Sequence, residues 1–160
     1  MVIKMIQVSI PYYKKLDLKY LVLDYNGTLA ELGKVKDSTK ELLIKLSEDL
    51  KIYIITADTY GNVLAEVKNL PVEVQLVSSN NGTIDKENLI RKLGRKNCVA
   101  IGNGNNDLLM IKEAELGICL LGPEGCAKDT ILVSDLVIKS IDEALGILIN
   151  KDALVATLRK

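Results

Sequence analysis

The sequence predicts a Rossmann-like, three-layer α/β/α fold with a mainly parallel central sheet. Three observations carry that expectation. Short apolar, β-branched runs alternate with stretches of helical periodicity from Lys19 onward in a chain of 160 residues. Three of those runs end in polar clusters: Asp24-Tyr25-Asn26-Gly27-Thr28, Thr56-Ala57-Asp58, and Gly102-Asn103-Gly104-Asn105-Asn106-Asp107. In an open parallel sheet such clusters fall on the carboxyl edge, where ligands bind. No glycine/serine linker, charge block or repeat interrupts the alternation, so residues 1–160 read as one α/β domain.

Residues 2–10 form the first candidate strand, Pro11 stops it, and the stretch up to Leu18 reads as a turn. That reading pairs residues 2–10 with the run 19–24 as a hairpin. Residues 29–36 are a short loop or flap. Asp37-Ser38-Thr39, with Glu41 three places after Ser38, has the pattern of a capping box. Leu42, Leu43, Leu46 and Leu50 recur at helical spacing, which predicts a helix over 39–49. Residues 51–56 are a buried strand, and a helix over 60–69 ends at Leu70-Pro71. A strand over 72–77, a polar loop over 78–83 and a helix over 85–93 closed by Gly94 follow. Residues 97–101 are a strand, 105–114 a helix and 116–121 a strand, with a turn at Gly122-Pro123. A short helix over 125–131, a strand over 136–138 and one or two helices over 141–158, joined at Asn150, complete the chain.

Composition narrows the chemistry. Hydrophobic residues make up 48% and charged residues 26%, the profile of a soluble globular domain with a real core. Twenty-one basic and twenty-one acidic residues cancel, which gives no electrostatic case for nucleic acid or an anionic membrane. No apolar stretch reaches membrane-spanning length, and the first ten residues, broken by Lys4 and Gln7, lack a leader pattern. A cytoplasmic location is the resulting expectation. Histidine is absent, which excludes Ser-His and Cys-His nucleophile pairs and imidazole-ligated metals. Cys98, Cys119 and Cys126 form no CxxC pair, so neither a zinc site nor a disulfide framework is expected. Cys98 and Cys119 lie in apolar runs and read as small hydrophobes.

Carboxylates, amides, hydroxyls and lysines must therefore carry any reaction. Asp24 at a strand end can attack phosphorus and form an aspartyl phosphate. Gly27 lets the backbone approach a phosphate, and Thr28 can donate to one of its oxygens. With Thr56, Lys86 and Asp107 on the same edge, the set suits Mg²⁺-assisted phosphoryl transfer. Two carboxylates and a backbone carbonyl suffice for an ion that keeps several waters. Taken singly, each residue has a plainer reading. Thr56 is a strand-end hydroxyl, Asp58 a helix cap and Lys86 a solvated lysine, with Lys92 and Lys96 as alternatives. The Gly102 cluster is a turn, since Asn and Gly tolerate positive φ.

Asp24-x-Asn26-Gly27-Thr28, the strand ending in Thr56, Lys86, and Gly102-Asn103-Gly104-x-Asn106-Asp107 resemble, in order, the four motifs of the haloacid dehalogenase (HAD) superfamily. The segments Leu116-Gly117-Ile118, Gly122-Pro123-Glu124-Gly125, Ala127-Lys128 and Asp135-Leu136-Val137 resemble the corresponding stretch of P-type ATPase phosphorylation domains, and most nearly that of small soluble P-type ATPase-like proteins. The resemblance implies roles. Asp24 is the nucleophile, Thr56 binds phosphoryl oxygens, and Lys86 neutralises nucleophile and phosphate together. Gly27, Thr28, Ala57 and Asn106 border the phosphate. Asp24, Asn26, Asn103 and Asp107 hold Mg²⁺.

Two positions depart from the superfamily pattern. Asn26 stands where most phosphatases of the superfamily have an acid/base Asp, and an amide cannot exchange that proton. Asn103 stands where many members have a metal-binding Asp, which implies a weaker Mg²⁺ site. A slow phosphohydrolase or phosphotransferase follows, with a weakened HAD-fold binding or regulatory protein as the alternative. Neither 29–36 nor the stretch between Thr56 and Lys86 is long enough for the folded cap that usually confers specificity. The resemblance thus implies an open, capless site for a phosphorylated substrate, with a neighbouring copy in a homo-oligomer as a possible lid.

Overall fold

Six of the candidate strands become neighbours in one sheet. The computed structural model describes residues 4–57 and 62–160. Its sheet is formed by β3 (Tyr20–Asp24), β4 (Lys51–Thr56), β5 (Val72–Leu76), β6 (Cys98–Gly102), β7 (Leu116–Leu120) and β8 (Leu136–Ile138), in the order β5-β4-β3-β6-β7-β8. Every pairing in it is parallel. Helices α1 (Asp37–Leu46), α6 (Ile141–Ile149) and α7 (Lys151–Leu158) accompany one core, and α3 (Gly82–Leu93) and α4 (Leu108–Glu113) the other. Two short helices, α2 (Asn62–Glu66) and α5 (Lys128–Val133), complete the set. No folded cap is inserted among the described residues.

Alternation along β3 shows why both faces must be covered. Leu21 and Leu23 enter the larger core while Val22 enters the smaller one, with Leu89, Ile90, Met110 and Ile111. All three β3 side chains are fully buried. Asp24 is then carried to the carboxyl end of a central strand, between the ends of β4 and β6.

The N-terminal hairpin corrects the predicted pairing. β1 (Ile6–Ile10) pairs antiparallel with β2 (Lys14–Leu18), from Ile6 opposite Leu18 to Ile10 opposite Lys14. The stretch before Leu18 is therefore a strand, and the turn is confined to Pro11-Tyr12-Tyr13, with Tyr12 at φ 57°. β3 cannot accept β1, because β4 and β6 occupy its two edges. Leu16 and Leu18 alternate with Lys15 and Asp17 and are fully buried, so the hairpin packs its apolar side into the larger core.

Other boundaries shift for local reasons. α1 starts at Asp37 with Lys36 as N-cap and no side-chain cap, so the predicted capping box at Ser38 and Glu41 does not form. The Ser38 and Thr39 hydroxyls instead donate to Asp142 at 2.6 and 2.5 Å, tying α1 to α6. The helix predicted over 105–114 divides into a 3₁₀ turn, Asn105–Asp107, and α4. The short helix expected over 125–131 begins at Lys128, because the Ala127 amide is taken by the Asn103 carbonyl at 2.8 Å. Asn150 is the join between α6 and α7, as expected. Asp58 and the start of the helix expected over 60–69 lie outside the described residues. No helix among the described residues is long and apolar enough to cross a membrane.

Cys119 and Cys126 form a disulfide, contrary to the expectation from their spacing. The turn from Gly122 to Gly125, closed by the Gly125 amide on the Gly122 carbonyl at 2.9 Å, brings the chain back on itself and the two sulfurs together. A seven-residue separation carries none of the signal of a CxxC pair. Cys98 is free and buried, and burial pushes its thiol up to about 12. Alkylation near neutral pH is therefore expected to label no cysteine in the native unreduced chain. One should react after denaturation, and three after denaturation with reduction. Mass spectrometry of the alkylated chain distinguishes these states, and native labelling at Cys98 contradicts its burial.

Candidate functional site

The ends of β3, β4 and β6 meet at one cleft of about 720 Å³, with Asp24, Asn26, Thr56, Ala57, Asn103 and Asn106 on its wall. Lys86 reaches it from the second turn of α3. The lysine is 2% exposed, although a lysine is almost never this buried without a partner. Its Nζ donates to Asp24 Oδ1 at 2.8 Å and to Asp107 Oδ1 at 2.7 Å. Lys86, rather than Lys92 or Lys96, is the buried cation of this edge.

Each carboxylate has further donors. Asp24 Oδ2 accepts from Thr28 Oγ1 at 3.1 Å. Asp107 Oδ2 accepts from the Asn103 and Gly104 amides at 3.0 and 3.1 Å. Gly102 has no Cβ for a steric reason, since one would stand 2.5 Å from the Asp107 side chain. The loop thus folds around Asp107, which is fully buried.

The charges oppose each other. Burial raises the Asp24 carboxyl and the nearby Asp107 charge raises it further, while Lys86 and Thr28 lower it; the balance lies at about 6. Burial would lower the Lys86 ammonium, but the two carboxylates outweigh that and hold it above its ordinary value. At neutral pH the group is an ionised Asp24 beside a fixed cation.

Asn103 is held on both sides of its amide. Its Oδ1 accepts from Thr28 Oγ1 at 3.3 Å, and its Nδ2 donates to the Gly125 carbonyl at 3.3 Å. A carboxylate at this position could not make the second bond. The neutral residue is thus accounted for by its contact with the Gly122–Gly125 turn.

Gly27 and Thr28 are placed differently from their neighbours. They line an adjoining cavity of about 470 Å³, with Leu29, Lys34, Gly122 and Pro123. Thr28 is buried and faces Asp24 and Asn103 with its hydroxyl. Gly27 lies at φ 76°, and a Cβ there would collide with the Glu124 carboxylate.

No protein-family model matches the chain. Two curated proteins of Methanocaldococcus jannaschii do. The uncharacterized protein MJ0073 is 51% identical over 73 residues, which are 46% of this chain and 78% of that protein. The uncharacterized protein MJ0072 is 51% identical over 39 residues, 24% of this chain and 89% of that protein. The chain belongs to their family.

The chain's fold is that of HAD phosphatases. A 3-deoxy-D-manno-octulosonate 8-phosphate phosphatase from Moraxella catarrhalis, solved with magnesium, phosphate and its sugar acid, superposes with a TM-score of 0.70. It is 22% identical, over 89% of this chain and 94% of that one. A cobalt-bound phosphatase of the same kind from Haemophilus influenzae gives a TM-score of 0.70 at 10% identity, over 89% and 94% of the two chains. A Legionella pneumophila protein assigned to HAD subfamily III A gives 0.71 at 15% identity, over 88% and 87%.

Sequence reasoning missed part of the wall in this member of the family. Glu124 lines both cavities, and Asn62, Ser78, Ser79, Asn80 and Thr83 face the main cleft. Only the polar composition of 78–83 hinted at a surface of this kind. For Glu124 the sequence gives a turn signal at Gly122-Pro123 and nothing about what the turn approaches.

Proposed function

We propose that the chain is a Mg²⁺-dependent phosphohydrolase or phosphotransferase acting through an aspartyl phosphate on Asp24. The observation that carries this reading is the buried Asp24–Lys86–Asp107 group at the carboxyl edge of the sheet, opening onto a cleft. The donor set fits the ion. Among the described residues no group of three or more His, Cys, Asp or Glu is gathered for a metal. Asp24 and Asp107 carboxylates with Asn26 and Asn103 oxygens make an all-oxygen set, which suits magnesium and not zinc. Such an ion, when bound, would neutralise phosphoryl oxygens and polarise phosphorus. The magnesium and cobalt in the two phosphatase structures support a divalent metal here.

The protein's own groups do the rest. The Asp24 carboxylate attacks phosphorus and the ester oxygen leaves. Lys86 holds the attacking carboxylate in place and offsets its charge, and Asp107 fixes Lys86 from the other side. Thr28 orients the second Asp24 oxygen. Thr56, Ala57 and Asn106, on the wall of the cleft, would border the phosphoryl group. Asn26 cannot exchange a proton, which favours slow turnover; the resemblance to P-type ATPase-like proteins supports a long-lived phosphoenzyme.

The test is phosphate release from an activated aryl phosphoester. Release should require Mg²⁺, stop with chelator, and rise about tenfold or more in Asn26→Asp. Asn26 and Asn103 also favour a second reading, a phosphate-responsive binding protein with little chemistry. Silence of both wild type and Asn26→Asp, with Mg²⁺ present, would select it.

A further inference from the structure

Resting on the hydrolase reading, the geometry points to Glu124 as the residue that exchanges protons with the leaving group and the attacking water. Turnover through an acyl phosphate needs a proton delivered to a departing alkoxide and one removed from water. The described wall of the cleft holds two carboxylates, Asp24 and Glu124. Asp24 is committed to phosphorus. Lys86 is locked between two carboxylates and is held protonated. The Asn26 amide is neither a general acid nor a general base at neutral pH.

Glu124 is built into position. Its carboxylate lies against the Gly27 backbone, where a Cβ at position 27 would meet it. The turn that carries it is fixed at both ends. Leu121 N donates to Ile138 O at 2.8 Å, Ala127 N to Asn103 O at 2.8 Å, and the Cys119–Cys126 bridge closes the loop. Pro123 precedes Glu124 and Gly125, at φ 77°, follows it, so a Gly-Pro-Glu-Gly turn presents the side chain toward the nucleophile loop. The side chain stays exposed and can take its proton from solvent.

The cycle balances. As the Asp24–phosphorus bond forms and the ester phosphorus–oxygen bond breaks, protonated Glu124 gives its proton to the departing alkoxide. The Glu124 carboxylate next takes a proton from water as the water oxygen bonds to phosphorus. The Asp24–phosphorus bond then breaks, phosphate leaves, and both residues return to their starting states.

The experiment compares wild type, Glu124→Gln and Asp24→Asn with Mg²⁺, using p-nitrophenyl phosphate and a simple alkyl phosphate. Glu124→Gln should lower steady turnover of both by about a hundredfold or more. A stoichiometric burst of nitrophenolate should survive in it, because that group leaves without a proton; the alkyl ester should give no burst. Wild-type rates in Glu124→Gln overturn the assignment, as does loss of the nitrophenolate burst, which marks a structural defect. Absence of any Asp24-dependent release from wild type overturns the hydrolase reading and this assignment with it. Unchanged thermal unfolding of the exposed-site variant checks that the fold is intact.

Discussion

Replacing Asp24 with Asn is expected to abolish turnover and to stabilise the metal-free fold. Removing the proposed nucleophile should cost at least about 10⁴-fold in rate. The stability effect follows from burial. Asp24 is 7% exposed, and its carboxyl lies near 6 chiefly because of desolvation and then the Asp107 charge. A carboxyl raised on folding favours the fold when protonated. That contribution is full below about pH 4 and is lost as pH rises to about 6. At neutral pH the ionised group then costs on the order of 1–3 kcal/mol. Asparagine avoids this cost, and Lys86 keeps Asp107 as its partner. Thermal melts in chelator across this range should show the wild type losing stability with rising pH and the variant holding steady. A variant less stable than wild type at neutral pH contradicts the charge balance.

Lys86→Met is expected to do the opposite. Methionine fills most of the space of the lysine stem, so the lost charge decides the outcome. Two buried carboxylates, at 2.8 and 2.7 Å from the same nitrogen, are left facing each other. Breaking a buried pair in this way costs about 3–5 kcal/mol. Acid should relieve the penalty, since protonated carboxyls no longer repel, and so should adding Asp24→Asn. Urea unfolding near neutral pH and near about pH 4 measures both effects. A change within about 0.5 kcal/mol would return Lys86 to the class of solvated helix lysines.

The sheet and its polar edge are legible because three of its strands, β3, β4 and β6, are buried runs ending in polar clusters. Asp24, Thr56 and Asn103 are where that pattern puts them, and Lys86 is drawn in by Asp24 at the end of β3 and by Asp107 in the 3₁₀ turn after β6. What failed depended on contacts distant in sequence. The β1 partner is not legible locally, because the alternation of Lys15 and Asp17 with Leu16 and Leu18 is only five residues long and nothing nearby in sequence reveals that both edges of β3 are filled. Ser38 reads as a cap until Asp142, more than a hundred residues on, takes its hydroxyl. The Cys119–Cys126 bridge and the approach of Glu124 to Gly27 both arise from one turn, whose direction the sequence does not encode locally.

The most direct measurement is to mix the chain with Mg²⁺ and a reactive phosphoryl donor, quench in acid, and map any phosphoryl group by mass spectrometry. The account predicts one group, on the peptide containing Asp24, and none in Asp24→Asn. Phosphate release at wild-type rates in Asp24→Asn, or a phosphoryl group on any other residue, would contradict it.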